Sequence, residues 1–202
     1  MKSQKLLVDN LDDSVLWKAL KLGDEKAFSS LFKKYYNHLV RYGNSFTPFP
    51  EKVQDCVQDV FTDLWVYKNS LNDNVVVKAY LLSSVRKRIA RLHERDHIFR
   101  KSTTVDLIPF SFDFTVEDIL IADESMAVKV SKLNLLINNL PARQKEALYL
   151  RYHQGLSVIQ IAELLEVNYQ SANNLIYRSL LNIRKNWKEN KSLLFLLLSQ
   201  VF

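Results

Sequence analysis

The feature that most constrains the fold is the stretch from Leu140 to Trp187, whose helix-starting and helix-ending residues predict three consecutive helices. Pro141 suits the first position of a helix, where its missing N–H is not needed, and Gly155 suits the left-handed residue that ends one. Ser157 and Gln160 have the spacing of a capping box at the start of a second, short helix. Helices joined by so short a turn predict a helix-turn-helix unit.

The third of these helices is predicted to have one apolar stripe and one polar face. Asn168 is a good N-cap for it, and the stripe follows at helical spacing: Ala172, Ile176, Leu180, Ile183 and Trp187. The opposite face carries side chains that can bond DNA: Gln170, Ser171, Asn174, Tyr177, Arg178 and Lys185. Amides near the start of such a helix suit base edges, and Arg or Lys further along suits phosphates. The same pattern also occurs in ordinary helical bundles, so by itself it leaves DNA binding and simple packing open.

Composition predicts an all-α chain with a sizeable core. Of the 202 residues, 48% are hydrophobic, only 3 are Gly and 4 are Pro, and helical spacing recurs where alternation does not. This length accommodates one large domain or two small ones. A net charge of +6 favours an acidic partner such as nucleic acid. A single cysteine and a polar N-terminus without a signal peptide predict a cytoplasmic protein.

A helix predicted from about Glu51 to Lys68 has two contrasting faces. Its apolar residues can pack inward: Val53, Val57, Val60, Phe61 and Leu64. Its acidic residues recur every four positions: Glu51, Asp55, Asp59 and Asp63. Because like charges at this spacing repel, the acidic stripe is either simply solvated or reserved for the basic surface of a partner.

The next predicted helix follows a polar loop, Asn69 to Asn74, and is rich in positive charge. Its narrow apolar stripe consists of Leu81, Val85, Ile89 and Leu92. Around the stripe lie basic residues: Lys78, Arg86, Lys87, Arg88, Arg91 and Arg95. Tyr80 adds an aromatic ring that can stack on a base. The pattern therefore indicates either a nucleic-acid surface or a solvated basic helix.

Helical periodicity fades between Ile98 and Glu117, where Pro109 breaks any helix, and a helix is expected to resume near Val116 and run to Asn139. The Leu-rich ending is too short for a membrane span, which needs about 20 apolar residues, and is expected to be a docking or packing segment. The predicted parts are a domain over 1–97, a linker over 98–116, a domain over 117–190 and a tail over 191–202.

The run DCVQDVFTDLW, Asp55 to Trp65, resembles the extracytoplasmic-function class of bacterial sigma factors. That class carries the same Asp-x-Val-Gln-acidic-Val-Phe-x-x-Leu-Trp run in its second region. Further matches follow in the family's order: GDEKAFSSLFKKYY before the motif, KAYLLSSVRKR after it, and LPARQKEALYLRY at the start of the C-terminal unit. The resemblance implies two small helical domains joined by a flexible linker, sigma region 2 followed by the region 4 helix-turn-helix. Such a protein binds core RNA polymerase, directs it to promoters and promotes DNA melting, without a catalytic site, cofactor or metal.

The resemblance also implies which residues meet which partner. Core polymerase would contact Asp55, Gln58 and Asp59. The promoter −10 element would contact Tyr80, Arg86, Lys87, Arg88 and Arg91. The −35 element would contact Gln170, Ser171, Asn174, Tyr177, Arg178 and Lys185. The Leu-rich ending resembles that of sigma factors from Bacteroidetes, which implies a membrane-bound anti-sigma factor as a further partner and no direct membrane insertion.

The sequence departs from the family pattern at several positions. Arg86 and Lys87 stand where Arg-Asn is usual, Arg91 replaces a frequent Asp, Glu166 replaces a Gly in the turn, and Leu175 replaces a frequent Arg. Two alternatives remain open at this point. One is a dimeric helix-turn-helix regulator that acts without polymerase, and the other is an interaction protein that keeps the sigma fold and sequesters a partner.

Overall fold

The computed structural model describes residues 12–98, 109–112 and 124–187. The regular structure within these ranges is helical throughout, and the chain divides into two compact units, Met1–Val105 and Asp106–Phe202. The prediction of an all-α protein with two small domains is confirmed. The Leu-rich tail and the predicted start of a helix near Val116 lie outside the described residues.

The described part of the N-terminal unit contains four α-helices and one short 3-10 helix. Gly23, with φ of 88°, allows the tight turn between the first two helices. Asp24 then caps the second helix, since its carboxylate accepts hydrogen bonds from the backbone N–H groups of Lys26 and Ala27. In chain order the elements are α1 (Asp13–Lys21), α2 (Glu25–Asn44), α3 (Pro50–Val66), the 3-10 helix (Lys68–Ser70) and α4 (Val77–Ile98).

Helices α2, α3 and α4 meet around the apolar faces that the sequence predicts. The whole inward stripe of α3 is buried, as are three of the four stripe residues of α4, Leu92 being half-buried. Gly43 is needed where α2 crosses α3, because a Cβ at this position would lie 2.4 Å from Val53 Cγ1. Burial of one face of α3 leaves its acidic face at the surface.

The C-terminal unit is built from α5 (Glu124–Asn138), α6 (Ala142–Leu148), a π-helical turn (Tyr149–His153), α7 (Val158–Leu165) and α8 (Tyr169–Asn186). The predicted capping box at the start of α7 is present. The Ser157 hydroxyl accepts from the backbone N–H of Gln160 at 3.3 Å, and the Gln160 side chain accepts from the N–H of Ser157 at 2.9 Å. Pro141 is the N-cap of α6 rather than its first residue.

Part of the predicted linker packs into the C-terminal unit. Phe110 and Phe112 are 2% and 5% exposed, and their ring centroids lie 5.7 Å and 4.4 Å from that of Tyr149. The Tyr149 hydroxyl in turn accepts a hydrogen bond from the Gln154 side chain. Pro109 correctly predicts an irregular backbone, but helical periodicity cannot show that an irregular segment is buried.

Over the ranges that are described, no helix combines the length and the apolar character that a membrane span requires.

Candidate nucleic-acid and protein interfaces

The acidic face of α3 is available to a partner. Asp55, Gln58 and Asp59 are all exposed, and they project from the side of α3 opposite its buried stripe. Asp55 and Asp59 are four residues apart, so their carboxylates lie one above the other on the helix surface. The structure thus groups the three residues that the sequence analysis assigned to polymerase binding.

A cavity of about 380 Å³ opens between α3, α4 and the loop that joins them. Four of the five residues predicted for −10 DNA line it, namely Tyr80, Lys87, Arg88 and Arg91. Its other lining residues come from the end of α3, the connecting loop and α4: Val60, Asp63, Leu64, Tyr67, Ser70, Leu71, Asn72 and Ser84. Positive charge on one wall and an apolar floor suit a ligand that is both flat and anionic, as a nucleotide is.

Arg86, the fifth residue predicted for −10 DNA, occupies a different place. It is 6% exposed and does not line the cavity. The helical phase explains this, because Arg86 shares the inner side of α4 with the buried Val85 and Ile89, whereas Lys87 and Arg91 point outward. Consecutive basic residues in the sequence therefore do not all lie on one basic surface. Because Arg86 is buried, we do not include it among the proposed DNA contacts.

Tyr80 is both a packing residue and part of the cavity wall. Its ring meets the buried Trp17 ring edge to face, with centroids 5.2 Å apart. Trp17 also donates a hydrogen bond from Nε1 to the Asn72 backbone oxygen at 2.9 Å. Through Trp17, helix α1 therefore contacts both Tyr80 and the loop. These contacts stabilise the shape of the cavity.

Tyr67 is a cavity residue that the sequence analysis missed. It is 61% exposed and follows the last residue of α3. The local pattern gave no signal for it, because Tyr67 follows the buried stripe residue Leu64 by three positions and therefore resembles a continuation of that stripe. Two tyrosines thus border the cavity, Tyr67 at the surface and Tyr80 partly buried.

Arg88 connects the basic wall of the cavity to the acidic face of α3. Its Nη1 donates to Asp59 Oδ2 at 2.7 Å, and its Nη2 donates to Asp63 Oδ2. The sequence analysis assigned Arg88 to DNA and Asp59 to polymerase, and it gave no indication that these two side chains contact each other. Their separation of 29 residues in the chain explains why.

Lys78 is on α4 but does not line the cavity. Burial lowers its pKa, and nearby Lys34 lowers it further against the opposing influence of Asp13. Burial likewise lowers the pKa of His38, and the positive charges of Lys78 and Arg41 add to this effect. A second group of basic side chains, distinct from the cavity, therefore lies where α2 and α4 meet.

The polar face of α8 is exposed as predicted. Gln170, Asn174, Tyr177, Arg178 and Lys185 are at the surface, and Ser171 is half-buried. The stripe residues Ala172, Ile176, Ile183 and Trp187 are buried on the other side, as the sequence predicts. Leu180 is only half-buried, and the adjacent Ser179 is buried instead, with its hydroxyl hydrogen-bonded to the Leu175 carbonyl oxygen at 2.6 Å.

Asn173 belongs to the same face and was missed. It is exposed, three residues after Gln170 and four before Tyr177, which places it on the exposed side of α8. The spacing alone could have identified it. The start of α8 is fixed by Asn168, whose side-chain oxygen accepts from the Ser171 backbone N–H at 2.7 Å.

The turn between α7 and α8 contains a strained residue. Glu166 has φ of 56° and ψ of 45°, the left-handed conformation that glycine adopts without cost. It is the one non-glycine residue with positive φ among the described residues. A glycine would adopt this backbone geometry without strain, and this chain adopts it with a glutamate.

The chain was compared with protein families, curated proteins and solved structures. Residues 131–183 match the family described as Sigma-70, region 4, which covers the end of α5 and nearly all of the helix-turn-helix. The comparison with curated proteins found no match.

Two solved structures resemble most of the chain in fold. One is CnrH in complex with the cytosolic domain of CnrY, with 18% sequence identity, a TM-score of 0.55, and coverage of 86% of this chain and 95% of that one. The other is the sigma factor RpoE in complex with the anti-sigma factor NepR from Bartonella quintana, with 17% identity, a TM-score of 0.58, and coverage of 79% and 96%. At these identities the likeness establishes the fold.

The family match thus assigns residues 131–183, within the C-terminal unit, to sigma-70 region 4.

Proposed function

We propose that this chain is a sigma factor of the extracytoplasmic-function class. It binds core RNA polymerase through α3, captures the −10 element in the cavity between α3 and α4, and recognises the −35 element through α8. The observation that carries the proposal is the convergence of Tyr80, Lys87, Arg88 and Arg91 on one cavity beside an exposed acidic helix face. If the basic residues of α4 were simply solvated, nothing would favour their placement around a single cavity. In this arrangement the N-terminal unit corresponds to region 2 and the C-terminal unit to region 4.

Polymerase binding is proposed for Asp55, Gln58 and Asp59. Exposed carboxylates on one helix face contribute little to folding, so their grouping is better explained by a partner than by stability. Complementary charge accelerates association and rejects wrong partners. A basic or polar helical surface on the polymerase is the partner that this face fits.

The −10 element is proposed to present a single-stranded, extruded base to the cavity. A volume of about 380 Å³ lies within the range of roughly 300–1,000 Å³ that is common for small-molecule pockets, so a nucleobase fits. Tyr67 and Tyr80 offer aromatic surface against which a base can stack. Lys87 and Arg91 are exposed at the rim and can hold the flanking phosphates. Binding an extruded base favours the open duplex, because the base is available only when its pair is broken.

The −35 element is proposed to bind α8 in the major groove. Gln170, Asn173 and Asn174 are exposed near the N-terminus of α8, where helix-turn-helix proteins contact base edges. Arg178 and Lys185 follow one to four turns later and can contact phosphates. Tyr177 is 62% exposed on the same side.

We also propose that an anti-sigma factor restrains this protein in the cytoplasm. The RpoE structure contains the anti-sigma factor NepR, and the CnrH structure contains the cytosolic domain of CnrY. Both neighbours have the fold of this chain and were captured with a partner. The assignment of a membrane-bound partner rests further on the Leu-rich tail of the sequence.

In vitro transcription with purified core polymerase tests the proposal. Core enzyme alone, and core enzyme with the chain, would be given a library of promoter fragments, and the transcripts would be mapped. Initiation from defined sites that depends on the chain supports a sigma factor. Specific binding to duplex DNA without core, and without initiation, would instead support a dimeric regulator. Binding to core or to an anti-sigma factor without initiation would support an interaction protein.

A further inference from the structure

Arg88 is held between two carboxylates of the neighbouring helix. Asp59 and Asp63 are four residues apart on α3, and each accepts a hydrogen bond from a different terminal nitrogen of the Arg88 guanidinium. A guanidinium is planar and directs its N–H groups outward in a fixed fork, so two carboxylates one helical turn apart can bind it at once. We call this arrangement the Asp59–Arg88–Asp63 clamp.

The clamp joins two surfaces to which different partners are assigned. Asp59 belongs to the acidic face that we assign to polymerase, whereas Arg88 belongs to the wall of the cavity that we assign to the −10 strand. Asp63 also lines the cavity. In the free protein, therefore, Asp59 and Arg88 engage each other and not their proposed partners.

We infer that the clamp couples polymerase binding to capture of the promoter strand. When a basic polymerase surface takes the Asp59 carboxylate, Arg88 loses one of its two carboxylate partners and becomes more available to a phosphate or base in the cavity. Asp63 keeps the guanidinium at the cavity wall, so it acts as a positioning residue. This inference rests on the proposed function and predicts that the holoenzyme binds the promoter strand more tightly than the free protein does.

The strength of the coupling follows from exposure. The Arg88 side chain is 29% exposed, and those of Asp59 and Asp63 are 58% and 54% exposed. Ion pairs this close to solvent are weak, and their strength corresponds to roughly a two- to fivefold change in affinity. Coupling between two binding events is reciprocal, so polymerase should raise affinity for the promoter strand by the same factor as the strand raises affinity for polymerase. Because both events break the same Asp59–Arg88 pair, removing either residue should favour the binding event that uses the other.

The first experiment measures DNA binding by the full-length free protein. The probe is a fluorescent single-stranded oligonucleotide that carries the non-template −10 sequence of a promoter transcribed by the reconstituted holoenzyme. Asp59→Asn should bind it about two- to fivefold more tightly than the wild type. Asp55→Asn removes the same charge one turn earlier on α3 and is the matched control, for which only the smaller gain from reduced repulsion is expected.

A double-mutant cycle separates the clamp from this general charge effect. In an Arg88→Gln background, Asp59→Asn should lose most of its gain, because the pair it would break is already absent. If Asp59→Asn gives the same gain with and without Arg88, the clamp does not control DNA binding and the inference is overturned.

The second experiment tests reciprocity without DNA. Arg88→Gln should bind core polymerase about two- to fivefold more tightly than the wild type, although Arg88 is not on the proposed polymerase face. Arg88→Lys should give a smaller gain, because an ammonium can pair with one carboxylate but cannot form the planar fork. Lys18→Gln, an exposed residue of α1, controls for net charge.

Unchanged or weaker core binding by Arg88→Gln, with a wild-type circular dichroism spectrum, would overturn the coupling. These outcomes are distinct from failure of the proposed function. A wild-type chain that does not bind core at all would overturn that proposal, and this inference with it, before any variant is measured.

Discussion

The two units organise their proposed binding surfaces in different ways. In the C-terminal unit one helix, α8, carries all the proposed contacts on one side, and its partner-facing residues are exposed before any partner arrives. In the N-terminal unit the proposed surface is composite. It is assembled from α3, the loop after it and α4, it encloses a cavity, and its charged residues are partly bound to each other.

This difference matches the two tasks that we propose. Duplex DNA presents a groove of fixed width, so a rigid helix with outward side chains suffices. A base from melted DNA must be surrounded and held, which requires walls from several elements. A surface that is preassembled on one helix can act alone, whereas a composite surface can be regulated by what binds to one of its parts.

The largest effect is expected from reversing charge on α3. Replacing Asp55 and Asp59 with Lys should abolish detectable binding to core polymerase, because like charges opposed at an interface cost several kcal/mol. Binding of the same variant to duplex −35 DNA should persist, since α8 is self-contained. Pull-down and band-shift assays would measure the two activities, with Glu163→Lys, an exposed residue of α7, as a charge-reversal control for core binding. Undiminished core binding by the double variant would remove polymerase from the acidic face.

The next effect concerns the cavity rim. Neutralising Lys87 and Arg91 together should reduce open-complex formation by about a hundredfold or more, since each charged hydrogen bond contributes roughly 1.5–3 kcal/mol and about 1.4 kcal/mol corresponds to a factor of ten. The salt dependence should also become shallower, with a slope reduced by about one to two. A template with a preopened bubble should restore part of the activity. Normal opening of closed promoters by this variant at raised salt would contradict the assignment.

A smaller effect is expected on α8, where two substitutions should behave differently. Asn174→Ala should cost about 1–3 kcal/mol of binding and relax the preference at one base position. Arg178→Ala should weaken all sequences alike, because phosphates carry no sequence information. Binding across a randomised −35 library would show both patterns. Unchanged base profiles for folded Gln170, Ser171 and Asn174 variants would mean that this face does not recognise sequence.

Substitutions in the turn that precedes α8 and in the turn that precedes α7 should change the free energy of unfolding by about 1 kcal/mol, in opposite directions. Glu166→Gly should raise the free energy of unfolding by about 0.5–1 kcal/mol, because it relieves the left-handed strain but leaves a more flexible unfolded chain. Gly155→Ala should lower it by about 1 kcal/mol. Gly155 has φ of 68°, and a Cβ added to it would meet no described atom within 4 Å, so strain alone decides its effect. Urea denaturation measures both, and a destabilised Glu166→Gly would show that the glutamate side chain contributes more than its backbone costs.

The smallest effect is a pH dependence confined to the N-terminal unit. Burial, with Lys78 and Arg41 nearby, lowers the folded-state pKa of His38 below its ordinary value of 6.5. The unfolded state therefore takes up the proton first, so the stability that His38 contributes is complete above about pH 6.5 and is lost as pH falls towards the folded pKa. His38→Gln should reduce the loss of stability between about pH 7.5 and 5.5. An equal loss in both proteins, measured by urea midpoints, would exclude His38 as its source.

Much of the molecule could be predicted from local sequence. The capping residues Ser157 and Asn168 begin their helices as predicted, and the apolar stripes of α3 and α8 are buried almost throughout. The reason is that helix caps and helical phase depend on residues no more than a few positions apart. The outward face of α8 follows from the same phase, so its candidate residues were available from the sequence, including Asn173, which was overlooked.

Tertiary structure alone decided the rest. The burial of Arg86, the packing of Phe110 and Phe112 against Tyr149, and the shape of the cavity each depend on which elements face one another. The Asp59–Arg88–Asp63 clamp is the clearest case, because its partners are 25 and 29 residues apart in the chain and meet only once α3 packs against α4. Periodicity specifies the direction in which a side chain leaves its own helix, but the side chain it meets is specified by the packing of that helix against another.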